Sequence, residues 1–409
     1  VVGPAVASGP VAAGDGSSQF SQKFAEKRPA DVHRTNSAFI RGPFFCELLR
    51  ETPNLCPMNR RQAAIERMNE LGRRREPFLF LVDFEEQTPL LFPLSELDPT
   101  SLWYDFGGVT NAPAAVTAPT AFDWRISPPP FADFQTAFDR VQRELRAGNT
   151  FLLNLTTRTR VETNLSLQTI FHASRARYKV WLAPQPPKGA FQPEKKMPPL
   201  GVGGLSAFVC FSPEPFVRVE GNRIATFPMK GTLRADEPDA RARLLANPKE
   251  EAEHYTIVDL LRNDLSQVAR RVRVTRFRYV EEVPTHAGPL LQASSEISGD
   301  LPPTWPDTLG AWFFRLLPAG SVSGAPKKKT VEIIQTAEGQ PRGFYTGVAG
   351  LFDGKSLDSG VLIRFLEETP EGLFFRSGGG ITFRSEVQAE YRELLDKVYV
   401  PIPRNDSLP

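Results

Sequence analysis

The sequence predicts an α+β protein. Helical periodicities and strand pairs are interleaved along the chain, but without the regular βαβ order that builds a parallel sheet. No segment repeats at the period of a solenoid. At 409 residues the chain can bury a large core, as one big domain or two. Its formal net charge of +2 gives no electrostatic reason to expect nucleic acid or an anionic membrane as partner. No apolar run approaches the ~20 residues of a membrane span. The start lacks the basic-then-apolar layout of a signal peptide. Cys46, Cys56 and Cys210 are odd in number and lack metal-site spacing, so they read as reduced thiols of a cytoplasmic protein.

Residues 1–57 are rich in Gly, Ala, Ser and Pro without sustained periodicity and read as a disordered extension. Met58 opens the first well-patterned segment and reads as the natural start; a regulatory tail is the other reading of the residues before it. Arg60 to Arg74 has helical spacing at Ala63, Ile65, Met68 and Leu71. Pro77 to Asp83 is a buried strand by its continuous apolar run, and Leu90 to Pro93 can pair with it. Pro113 to Pro130 reads as a connector. Residues 58–130 thus form an N-terminal part, and 131–400 a core. Phe131 to Ala147 is an amphipathic helix ended by Gly148-Asn149, and Thr150 to Val161 a strand. Pro184 to Pro199 reads as a mobile loop rich in Pro and Lys. Phe216 to Glu220 and Arg223 to Phe227, joined by Gly221-Asn222, form a hairpin. Pro238 to Asn263 is helical with a break near Asn247-Pro248, and Val272 to Val280 is a strand. A small-residue turn leads into a helix over Gly324 to Glu338. Strands over Phe344–Phe352, Ser359–Glu367 and Gly372–Arg376 and a helix over Arg384–Tyr399 complete the core. Residues 401–409 are a tail.

Chemistry can sit at several of these places. The hairpin brings Glu214, before one arm, near Lys230, after the other. A lysine just beyond an apolar strand can be desolvated, which favours its neutral, nucleophilic form. A carboxyl beside it can donate a proton. Glu250 and Glu253 are spaced to share one helix face, as are Glu390 and Glu393. Brought together, the two faces would suit Mg²⁺; apart, they are ordinary solvated faces. The turn Pro318 to Lys327 suits an anion or is simply a tight turn. The run Gly378-Gly379-Gly380 either admits a ligand close to the backbone or marks a bend. Arg364 interrupts an apolar strand and needs an anion, from a ligand carboxylate or an internal salt bridge.

Together these segments, from about Phe131 to Val400, resemble the chorismate-utilising enzymes. The motifs occur in family order: Ser-Pro-Glu-x-Phe at Glu214, Pro-x-Lys-Gly-Thr at Lys230, Lys-Glu-x-x-Glu-His at Glu253, Val-Asp-Leu-x-Arg-Asn-Asp at Asp264. Pro-Ala-Gly-Ser-Val-Ser-Gly-Ala-Pro-Lys at Ser321, Gly-x-Gly-Ile at Gly380 and Glu-x-x-Glu at Glu393 come after them. The resemblance implies two packed β-sheets with helices outside and the site between them. It implies that Glu253 and Glu393, supported by Glu250 and Glu390, hold Mg²⁺ and through it the ring carboxylate of chorismate, near Lys397. Tyr345, Arg364 and the backbone of Gly378, Gly379 and Gly380 would hold the pyruvyl carboxylate. Glu214 matches the acid that protonates the departing ring hydroxyl, and Thr232 a threonine of the pocket wall.

Within the family the chain is most similar to members that aminate chorismate, and Lys230 carries that distinction: anthranilate and isochorismate synthases usually have Ala there. Two positions depart from the pattern. Gln292 stands where most relatives have His, with His286 out of register. Leu152 stands where relatives that add water carry a Lys and relatives that use ammonia usually carry a Gln. Leucine cannot activate water, so isochorismate formation is disfavoured, and the ammonia contact is left without a residue. Anthranilate synthesis is the competing enzymatic reading, and a degenerate subunit that only binds a glutaminase is the non-catalytic one. None of the three cysteines sits in a Gly-x-Cys-x-Gly turn, so ammonia from glutamine would come from a separate glutaminase subunit.

Overall fold

Every residue of Phe78–Val82 is apolar, and every one is buried, because the strand is covered on both faces. Leu79 and Leu81 point into a core shared with Tyr104, Tyr178 and Phe208 of a second sheet. Phe78, Phe80 and Val82 point the other way, against Met68 and Leu71 of the helix Pro57–Arg73. Alternation is therefore present but hidden by double coverage. The computed structural model describes residues 57–114, 121–184, 206–246, 248–283 and 289–402. The expected disordered extension except Pro57, which opens the helix Pro57–Arg73, most of the Pro184 to Pro199 loop, His286 and most of the C-terminal tail lie outside the described residues. The described residues all belong to the unit Pro53–Pro409.

Among the described residues the strands form two nine-stranded antiparallel sheets. The first runs from Arg270–Val283 through Leu290–Asp300, Arg223–Thr226, Pro215–Glu220, Leu357–Val361, Val348–Phe352 and Phe78–Val82 to Leu90–Pro93, with Met229–Arg234 also on Leu290–Asp300. The second runs from Gly324–Ala325 through Leu152–Thr163, Gly372–Ile381, Phe365–Thr369, Ala207–Ser212, Tyr178–Leu182 and Leu102–Phe106 to Val109–Thr110. The sheets pack face to face through the Leu79–Tyr178–Phe208 core. On the outer side of the second sheet, Phe131–Arg146, Lys327–Glu338 and Val387–Asp396 pack on Leu153, Leu155 and Ile381. The helix Phe131–Arg146 buries Phe134, Phe138, Val141 and Leu145, the stripe its periodicity required.

The hairpin forms as read, with Glu220 opposite Arg223 and Gly221 at φ +57° in the turn. Helices form over Ala240–Ala246 and Pro248–Ser266, and Asn247, where the break was expected, lies outside the described residues. Other expectations need correction. The connector holds a short edge strand, Trp124–Ser127, paired to Leu152–Thr163. Gly324–Ala325 is a strand, so the next helix begins only at Lys327. The strand expected from Phe344 begins at Val348, because Thr346, at φ +61°, lies in a turn. The apolar run Ser359–Glu367 is not one strand. Leu357–Val361 belongs to the first sheet and Phe365–Thr369 to the second, and the chain crosses between them at Arg364, whose φ is +53°. Arg364 is thus at a corner between sheets rather than inside a strand.

Candidate active site

Lys230 is presented by a bulge. Arg223–Thr226 and Met229–Arg234 follow one another along Leu290–Asp300, interrupted by Phe227-Pro228. Pro228 has no N–H to give the ladder, but its carbonyl accepts from the Ser295 N–H at 2.9 Å. Met229 then pairs with Ser294 and Thr232 with Gln292, so Lys230 and Gly231 oppose the single residue Ala293. Gly231 sits at φ +80°, and a Cβ there would stand 2.9 Å from Leu244 Cδ1 and 3.3 Å from Glu250 Oε2. The torsion calls for glycine, and a larger residue would also have to push aside the ends of the Leu244 and Glu250 side chains. Lys230 therefore lies within a bulged strand, not after one, and its side chain lines a cavity with Glu214, Arg364 and Lys397. Its Nζ is 3.8 Å from Glu253 Oε2.

Glu214 enters the same cavity from the loop before Pro215–Glu220. Burial pushes its carboxyl above the ordinary glutamate range; a hydrogen bond from Ser321 and the charges of Lys230 and Lys397 pull it partly back. A carboxyl so shifted keeps its proton to higher pH and can act as an acid. The Ser321 hydroxyl donates to Glu214 Oε1. Beneath that turn Lys327 Nζ donates to Asp264 Oδ2 at 2.9 Å and to Leu316 O at 2.8 Å. A Cβ on Gly320 would stand 2.7 Å from the same Asp264 oxygen. Asp264 and Lys327, each the last residue of its motif, thus hold the turn that offers Ser321 to Glu214.

The floor of the cavity is glycine. Gly378, Gly379 and Gly380 continue the strand Gly372–Ile381 rather than bending it. A Cβ on Gly378 would stand 2.8 Å from Asn154 Oδ1 and 3.1 Å from Tyr345 Oη. A Cβ on Gly380 would stand 3.3 Å from Leu152 Cδ1 and 3.6 Å from Lys230 Nζ. Lys397 Nζ donates to Gly378 O and to Glu393 Oε1, each at 2.8 Å. Arg364 donates one N–H to Lys397 O at 2.9 Å and, like Tyr345, lines the cavity. Tyr345 is buried, which pushes its phenol pKa up and keeps it a neutral donor. Arg364 and Lys397, two cations around one small cavity that the Lys230 amine also lines, suit a ligand with more than one carboxylate.

The glutamate pairs lie on two helices, and of the four Glu393 lines this cavity. Glu250 and Glu253 approach Gly231 and Lys230; Glu390 and Glu393 approach Gly379 and Lys397. The donor set is all oxygen, which fits a hard cation in kind. Among the described residues no three acidic, His or Cys side chains close on one point. His254, next to Glu253, is fully buried and held at about 4 by burial first and then by Arg278 and Lys230. It bonds Ser295 Oγ at 2.6 Å, a neutral imidazole within the core. The Thr232 side chain lies outside the described residues, but its backbone pairs with Gln292, which fixes the register of that position.

Sequence reasoning missed Ser321, Asn154 and a buried ion pair. Arg342 and Glu338 leave 1% and 4% of their side chains exposed and meet at 2.7 Å. Arg342 also donates to Val322 O at 2.8 Å and Asn154 O at 2.6 Å, tying two cavity-lining segments together. The i,i+4 spacing was visible; its burial was not. Cys210 is buried in Ala207–Ser212, and burial pushes its thiol pKa up.

The family model described as chorismate binding enzyme matches residues 95–403. A protein of Haemophilus influenzae, named "uncharacterized PabA-like protein", is 48% identical over 345 residues, covering 84% of this chain and 98% of the other. Aminodeoxychorismate synthase component 1 of Klebsiella aerogenes is 30% identical over 331 residues, covering 78% and 67%. The menaquinone-specific isochorismate synthase of Escherichia coli shares the fold, with a TM-score of 0.59 at 16% identity over 82% of this chain and 80% of that one. No helix of the described residues is long and apolar enough to cross a membrane.

Proposed function

The chain belongs to the chorismate binding enzyme family, and within it we propose that the chain is an aminodeoxychorismate synthase component 1, converting chorismate and ammonia to 4-amino-4-deoxychorismate and water. The observation that carries this reading is the amine of Lys230, aimed by a bulge into the cavity that also holds Glu214, whose carboxyl burial shifts toward keeping its proton. The neutral amine forms a bond to ring C2 and sheds a proton. The ring double bonds shift, the C4–O bond breaks, and the proton of Glu214 makes the departing hydroxyl water. Ammonia then bonds to C4, the double bonds shift back, and the C2–N bond breaks as the departing lysine nitrogen takes up the proton that ammonia gives up. One hard displacement becomes two easier ones.

The supporting residues fit that route. Tyr345, Arg364 and the backbone of Gly378 to Gly380 suit the pyruvyl carboxylate, and Lys397 the ring carboxylate. Leu152 in the wall offers water no base. Glu253 and Glu393, with Glu250 and Glu390, would hold Mg²⁺, which when bound supplies positive charge to the ring carboxylate. Ammonia would come from a separate glutaminase: Cys210 is buried and hydrogen-bonds Ile363 O at 3.1 Å, which suits no nucleophile. Incubation with chorismate, Mg²⁺ and ammonium at alkaline pH tests the reading. The expected product is 4-amino-4-deoxychorismate without pyruvate. Fluorescent anthranilate with pyruvate would assign the chain to the eliminating reaction instead. Glutamine should support the reaction only after a glutaminase is added.

A further inference from the structure

Resting on the amination just proposed, we infer that Asn154 is the ammonia-binding residue, its side-chain amide accepting an N–H of ammonia against the glycine floor. Asn154 lies two residues beyond Leu152 on Leu152–Thr163, so both side chains face the same way. Both line the cavity. Leu152 provides no polar contact, whereas Asn154 Oδ1 is buried without a hydrogen-bond partner among the described residues. A buried carbonyl oxygen left unpaired is costly, so one on a residue that lines a cavity is ready for a donor that reaches it.

The position is fixed by its backbone. The Asn154 N–H donates to Ser323 O at 2.9 Å, and its carbonyl accepts from Arg342 at 2.6 Å. Asn154 is the register partner of Gly380, over which Lys230 Nζ stands at 3.6 Å from the Cβ position. Its Oδ1 reaches the neighbouring Gly378, 2.8 Å from that residue's Cβ position. The absence of side chains at Gly378 and Gly380 therefore opens one floor to both the lysine and the amide. The backbone of Asn154 also touches the turn bearing Ser321, the partner of Glu214.

The chemistry of the reactants selects the ligand. The carboxylates and ether oxygen of chorismate only accept hydrogen bonds. Its ring hydroxyl donates, but it leaves as water in the first half of the reaction. The reactant that then approaches C4 carrying N–H donors is ammonia. An acceptor beside an apolar leucine holds the neutral, donor-rich molecule and leaves its lone pair free to attack.

The test measures initial rates against ammonium concentration, at saturating chorismate and Mg²⁺, for wild type, Asn154→Leu and Asn154→Ser. In parallel each protein is incubated with chorismate and Mg²⁺ without ammonia, and the adduct on Lys230 is weighed. Ammonia KM should rise about five- to ten-fold in both variants, with chorismate KM and adduct yield close to wild type. The adduct also reports a folded site, and Asn154→Ser serves where the bulkier leucine is not accepted. Unchanged ammonia KM in a variant that forms the adduct overturns the assignment. So does loss of adduct in step with rate in a variant with wild-type circular dichroism, which would place Asn154 on chorismate. Failure of wild type to aminate at all would instead remove the reaction on which the inference rests.

Discussion

Arg342→Met should weaken the fold by an amount set by burial. The guanidinium pairs with Glu338 at 2.7 Å, with 1% and 4% of the two side chains exposed. Removing one partner of a buried pair leaves the other charge without compensation, at a cost of about 3–5 kcal/mol. The carbonyls of Val322 and Asn154 also lose their donor. With a urea m-value of about 3 kcal/mol/M, the unfolding midpoint should fall by about 1–1.7 M. Glu338→Gln in the same chain should recover at least half of the loss, because it removes the stranded charge yet keeps the oxygen that accepts from the Thr156 N–H at 2.9 Å. Equilibrium urea unfolding followed by circular dichroism measures both. A loss below about 1 kcal/mol, or no recovery in the double variant, would refute the reasoning.

Ser321→Ala should cut amination about ten-fold and move the alkaline limb of the rate profile to higher pH, since its hydrogen bond holds the Glu214 pKa down. Ser321→Thr should restore both, and an alanine variant with an unmoved limb would dissociate Ser321 from the acid. Burial raises the Glu214 pKa in the folded state, so its stability contribution is present below the ordinary glutamate pKa and lost as pH rises through the raised value. Glu214→Gln cannot ionise, so its melting temperature relative to wild type should climb as pH rises from the ordinary glutamate range through the raised Glu214 pKa; a constant difference would contradict this. Glu393→Gln should mostly abolish the Mg²⁺-dependent part of chorismate binding in calorimetric titration, and an unchanged isotherm would remove Glu393 from the site.

Local chemistry made part of this molecule legible. Glu214 and Lys230 could be placed together because a two-residue Gly-Asn turn joins alternating arms, which fixes a hairpin from sequence alone. Met229–Arg234 was hidden because Pro228 reads as a strand terminator, and only pairing with Leu290–Asp300 carries the ladder past it. The run through Arg364 looked like one strand because apolar continuity does not record which sheet a residue joins; the corner depends on neighbours distant in sequence. The glycine run left a bend open beside a close ligand approach because glycine usually signals freedom. Here it signals crowding, by Asn154, Tyr345, Leu152 and Lys230. Ser321 and Arg342 belong to the same class: their partners, Glu214 and Asn154 O, lie over a hundred residues away in the chain.

The covalent role of Lys230 is the centre of this account, and mass spectrometry reaches it directly. With chorismate and Mg²⁺ but no ammonia, the peptide holding Lys230 should gain the mass of chorismate less water, and Lys230→Ala should show no such adduct. Wild-type protein that never carries it, even after rapid quenching, would contradict the mechanism and reduce Lys230 to a positioning charge.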